Sequence, residues 1–177
     1  MPGYYYTLAS LPVLRLFESP GITMEEFFSR CSMEVHPHDI EVLSRLRDDD
    51  PGVFSLRPEL SSWKSYADAL DHAVAYQRAE RVGRPHERDP GRKDLRDTAK
   101  HLVSLASPLE AEREYLRLVW EHAEELEGSL VFDFSILVLY LLKLKLLCRL
   151  ELFTRERGED AFSRIFSQLQ SRMERTS

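Results

Sequence analysis

The chain has 177 residues, long enough for one well-buried domain and short for two. Hydrophobic residues make up 43% and charged residues 31%, which excludes general disorder. A net charge of −6 disfavours free-standing electrostatic binding to nucleic acid and leaves a basic partner open.

"YYYTLASLP", Tyr4 to Pro12, puts three adjacent aromatic rings within six residues of the N-terminus, where chains usually fray. So much apolar area needs cover, and each buried phenol needs a hydrogen-bond partner. Residues 4–11 are expected as an extended or irregular strip packed between helices. "TMEEFF" then carries the capping-box pattern, Thr23 followed by Glu26, and opens a short helix. "HPHDIEVLSRL" places Pro37 at a first helical position, with Ile40, Leu43 and Leu46 on one side. Asp48, Asp49 and Asp50 before Pro51 end that helix, because carboxylates oppose the dipole at a C-terminus and proline does not continue it.

Leu60, Trp63, Ala67, Leu70 and Val74 recur at steps of three and four residues, predicting a long amphipathic helix that stops near Gly83. "GRPHERDPGRKD" follows, and residues 83–93 are expected as a mobile loop. Leu95, Ala99, Leu102, Val103 and Ala106 mark the next helix. "SPLE" signals another start, with Ser107 as cap, Pro108 in the first turn and Glu110 completing the box. Its stripe is Leu109, Leu116, Val119, Trp120, Ala123 and Leu126, with Glu114, Arg117 and Glu121 at pairing distance on the far face.

Ser129 to Phe153 is the most apolar segment, but its charge-free run, Phe134 to Leu142, is far below the roughly 20 residues that span a bilayer. Apolar residues occur on all its sides, so it is expected to be enclosed by other helices, with Lys143 and Lys145 reaching outward to water. Beyond Gly158, a final helix carries Phe162, Ile165, Phe166, Leu169 and Met173. The fold expected is all-α, one helical domain over residues 1–177, a bundle of about seven helices with short connections.

Catalytic signatures are sparse. The seven glycines form no G-x-G-x-x-G or G-x-x-x-x-G-K pattern, so no standard nucleotide cradle is encoded. His36, His38 and Asp39 in "HPHD" are candidate metal ligands, with Cys31 and Glu34 near in sequence, but a structural zinc site needs about four ligands. A polar helix start explains the same residues. Cys31 and Cys148 fit no disulfide framework, which points to a reducing compartment, and no secretory or lipidation signal is visible. A cytoplasmic protein is expected.

The basic stretch Arg84, Arg88, Arg92, Lys93, Arg96 and Lys100 is interleaved with Glu87, Asp89, Asp94 and Asp97 and has no aromatic residue for base stacking. Nucleic acid is not an expected partner. Glu18 to Asp50 holds nine acids against three arginines. That excess serves solubility or forms a docking face for a basic partner, with Asp48, Asp49 and Asp50 as the foremost docking candidates.

"YYYTLASLP" together with "ITMEEFFSRC" resembles the start of a group of bacterial proteins encoded beside the subunits of V/A-type ATPases. "SPLEAEREYLRLVWEHAEELEGSLVFDFSILVLYLLKLKLLCRLELF" is similar to that group's second half. More distantly, the pattern resembles the helical C (d-type) subunit of V/A-type ATPases, the cap that seats the central stalk on the membrane rotor ring. That subunit is built from three similar helical units and is much longer, whereas no internal repeat occurs here. The resemblance implies a non-enzymatic adaptor, assembly factor or subunit. It would contact stalk or rotor-ring subunits at the inner face of the membrane, with no cofactor, no small-molecule substrate and no span of its own. Two other readings stand beside it: a small helical metal-dependent protein or enzyme using His36, His38 and Asp39, and an unrelated helical scaffold.

Overall fold

The computed structural model describes residues 4–84, 92–128, 130 and 133–151, which contain seven helices and one 3-10 turn. The helices are α1 (Tyr4–Ser10), α2 (Met24–Glu34), α3 (Pro37–Arg47), α4 (Pro58–Arg81), α5 (Asp94–Ser104), α6 (Pro108–Glu127) and α7 (Phe134–Glu151); the 3-10 turn is Pro51–Ser55. Among these residues there is no strand, and the chain forms an all-α single-domain bundle around one core. The expected helix over Phe162 to Met173 and the central part of the 83–93 loop lie outside the described residues.

Local chemistry sets most of the helix ends. Thr23 caps α2 in a complete capping box: the Glu26 amide donates to Thr23 Oγ1 at 3.1 Å and the Thr23 amide to Glu26 Oε2 at 2.8 Å. Pro37 and Pro58 open α3 and α4, where a missing N–H is no loss. Past α4, Gly83 takes φ +68°, a left-handed conformation that glycine adopts without penalty. Pro108 opens α6 as expected, but Ser107 makes no side-chain capping bond, so the box read from "SPLE" is not formed.

The N-terminal strip corrects the extended expectation. Residues 4–10 are helical, and the irregular backbone is confined to 11–23. Three aromatics favour strands only where a sheet receives them. Here Tyr4, Thr7, Leu8 and Leu11 share one helical face and lie against the core, so helix periodicity wins. The irregular segment is held by the Tyr140 hydroxyl, which donates to the Pro12 carbonyl at 2.8 Å while its ring stacks on Phe27 at 5.6 Å.

α7 is the central element, in contact with α1, α3, α4 and α6. Phe134, Leu137, Leu139, Leu141, Leu144 and Leu147 are fully buried. Enclosure overturns the expected outward reach of Lys143, while Lys145 reaches a partly exposed turn. Lys143 is buried, paired with Glu127 and 5.3 Å above the Trp120 ring. Lys145 turns to the end of α3 and donates to the carbonyls of Leu46 (2.7 Å) and Arg47 (2.9 Å) and to Asp49 Oδ1 (2.6 Å). Lys143, enclosed by protein, needs an acceptor inside the fold, whereas Lys145 keeps partial contact with water at a surface turn whose Asp49 is exposed.

Candidate functional site

Because α1 is helical, its three tyrosines separate. Tyr4 points inward: its hydroxyl donates to Asp39 Oδ2, and its ring lies 5.8 Å from Phe134. Burial, followed by the bond to Asp39, pushes its phenol up to about 12. Arg57 closes the cluster, 3.9 Å from Asp39 Oδ1 and 4.8 Å above the Phe134 ring. One buried carboxylate thus ties α1, α3 and the start of α4 to α7.

This arrangement disperses the "HPHD" residues. Asp39 faces the core, whereas His36 and His38 are exposed. The His36 ring caps its own helix by accepting from the His38 amide at 3.2 Å. Among the described residues, no three His, Cys, Asp or Glu side chains converge in a way that holds a metal ion. Cys31 is also inside, where burial pushes its thiol up to about 12, and burial raises the Cys148 thiol as well. Both stay protonated near neutral pH.

The acidic triplet is engaged in the turn after α3. Asp48 pairs with Arg47 at 2.8 Å. Asp49 sits at φ 57°, tolerated by Asp, and pairs with Lys145. Asp50 caps the 3-10 turn through the Gly52 amide at 2.8 Å and pairs with Arg45 at 2.7 Å. The Asp48 and Asp50 carboxyls lie below the usual carboxylate range, mainly through hydrogen bonds from Arg47 and Arg45 respectively. Cations of the same chain therefore offset the charge that the sequence offers to a partner.

A different surface stays open. Tyr4 meets Asp39 beyond the C-terminal end of α2, and the Ser10 carbonyl accepts from Arg30 in its middle, so α1 runs antiparallel to α2. The outward faces of this pair carry Tyr5 (54% exposed), Tyr6 (70%) and Met33 (74%). The Tyr5 and Tyr6 rings meet edge to face at 5.7 Å. Glu34 follows Met33 at the C-terminal end of α2, Glu25 and Glu26 lie in its first turn at the other end, and its one arginine, Arg30, is drawn to α1. Helical phase alone decides that Tyr4 is inside and Tyr5 and Tyr6 outside, a signal that three identical neighbours do not display.

On another side of the bundle, α4, the start of α6 and the end of α7 border a cleft of about 570 Å³. Asp71, Arg78, Glu112, Tyr115 and Arg149 supply its polar groups, and Val74, Leu102 and Leu109 its apolar ones. None of these residues forms a motif in sequence. They read there only as polar and apolar steps of separate helices. No helix among the described residues is long and apolar enough to cross a membrane. No family model, curated protein or solved structure matches the chain.

Proposed function

We propose that the protein is a non-enzymatic helical adaptor, subunit or assembly factor of a bacterial V/A-type ATPase, held at the cytoplasmic face through contacts with stalk or rotor-ring subunits. The machine is suggested by the resemblance of the N-terminal and α6–α7 stretches. The observation that carries the adaptor role is the open face of α1 and α2. Tyrosine and methionine are enriched at interface centres, and here the paired Tyr5 and Tyr6 rings and the Met33 side chain are exposed on a helix pair fixed to the core. Three glutamates against one arginine make α2 acidic, which suits a partner surface with an apolar centre and basic edge.

Co-purification from native membranes tests the reading. The tagged wild-type chain should retain stalk or ring subunits, and a Tyr5→Ser, Tyr6→Ser, Met33→Ser variant of unchanged helicity should lose them. Absence of ATPase subunits with the wild type rejects the assignment to that machine; equal retention by the variant rejects the docking face.

A further inference from the structure

The cleft beside α4 carries an inference independent of the docking role. Its charges balance, two arginines against two carboxylates, but they are not equally engaged. Arg149 is committed to Glu112 at 2.6 Å, with its guanidinium 5.7 Å from the Tyr115 ring centre. The Tyr115 phenol lies close enough to Asp71 for the carboxylate to act on it. Burial first, and Asp71 second, raise its ionisation, so it remains a protonated donor at neutral pH. A carboxylate has two oxygens, so Asp71 has accepting capacity for a ligand with Tyr115 close by. Arg78 enters no ion pair among the described residues.

Asp71 and Arg78 are seven residues apart on α4, so they lie on one stripe of the helix, two turns or about 10 Å apart along its axis. Val74 and Ala75 lie between them, and Leu102 and Leu109 border the same space. The cleft thus offers an anion at one end, a cation at the other and an apolar middle. Its volume falls in the usual range for small-molecule sites.

We infer that this cleft binds a small zwitterion, a short apolar peptide with free ends, its ammonium on Asp71 and its carboxylate on Arg78. Length follows from the spacing: three extended residues span about 10 Å. Neutral net charge follows from the balanced walls, since a ligand with a single charge leaves one end of the cleft unanswered.

Titration of the full chain with trialanine, followed by calorimetry and by backbone amide shifts, tests this. Trialanine should bind saturably and shift amides of α4 and α6. Acetylating its amine or amidating its carboxylate should each weaken binding by about tenfold or more, as for loss of a charged hydrogen bond. Arg78→Gln should weaken trialanine to a similar degree but leave the amidated peptide unchanged, and Asp71→Asn should act in the same way with the acetylated peptide. Both side chains are exposed, so far-ultraviolet circular dichroism should be unaltered. The inference is overturned by absence of saturable binding at about 10 mM trialanine, by equal affinity for the free and blocked peptides, or by inorganic phosphate competing as well as the peptide.

Discussion

Lys145 and Asp49 meet at 2.6 Å across 96 positions of sequence, and the same ammonium takes the last two carbonyls of α3. A cation at a helix C-terminus is favourable, and this one arrives from the central helix rather than from α3 itself. Lys145→Met keeps the aliphatic stem and removes all three bonds. It should lower unfolding free energy by about 1.5–3 kcal/mol, measured by urea denaturation. Asp49→Asn preserves the left-handed conformation and should cost less than half of that, because the carbonyl bonds remain. Equal losses in the two variants would show that the ion pair alone carries the contact.

The N-terminal helix is predicted to divide into an anchor and a free face. Deleting residues 1–11 removes Tyr4, Thr7, Leu8 and Leu11 from the core surface, and each large apolar side chain contributes about 1.5–3 kcal/mol when fully buried. A loss of several kcal/mol is expected. Tyr5→Ser with Tyr6→Ser should stay within about 1 kcal/mol of wild type, since both rings are largely in water. Thermal unfolding of the two variants decides, and a truncated chain as stable as the wild type would contradict the anchoring.

Alkaline pH should loosen the same anchor. Tyr4 ionises from 10.0 in the unfolded reference to about 12 in the fold. Its folded value is the higher one, so its contribution is complete below pH 10 and is lost as pH rises towards 12. Tyr140, raised to about 12 mainly by burial, acts in the same window. Urea midpoints should fall across that interval, and Tyr4→Phe should flatten part of the slope. A variant with the wild-type slope would remove Tyr4 from the account.

Replacing Asp48, Asp49 and Asp50 together by Asn should reduce stability, where a purely solvated triplet would leave it unchanged. Asp48 and Asp50 have lowered carboxyl values in the fold, so their contribution is present above the unfolded carboxylate value near 4 and is lost as pH falls below it. The variant should therefore unfold more easily at neutral pH and converge with wild type in acid. Denaturation series at neutral and acidic pH measure this; parallel curves would show that the triplet has no pH-dependent role in stability.

Buried Lys143 provides a further contrast. Glu127→Gln leaves the ammonium without its counter-charge and should cost about 1.5–3 kcal/mol. Lys143→Met removes both the charge and the need for it, keeps the stem over Trp120, and should be better tolerated. Chemical denaturation of the two variants gives the order directly.

Local signals were legible wherever one residue satisfies a backbone group nearby. The Thr23–Glu26 box, Pro37 and Gly83 set helix ends that the linear chain already specifies, and the three- and four-residue steps of Leu60, Ala67, Leu70 and Val74 specify which side of α4 is buried. The all-α class follows from such periodicities, because each depends on neighbours within a turn or two. Tertiary structure decided what depends on residues far apart in sequence. It drew Tyr4 to Asp39, buried Lys143 against Glu127, set Lys145 on the end of α3, paired the Asp48 to Asp50 triplet with cations of the same chain, and placed Asp71 and Arg78 beside α6 and α7 to border a cleft. A charged side chain has the same sequence whether it faces water or a distant partner, and only the packing of helices settles which group it meets.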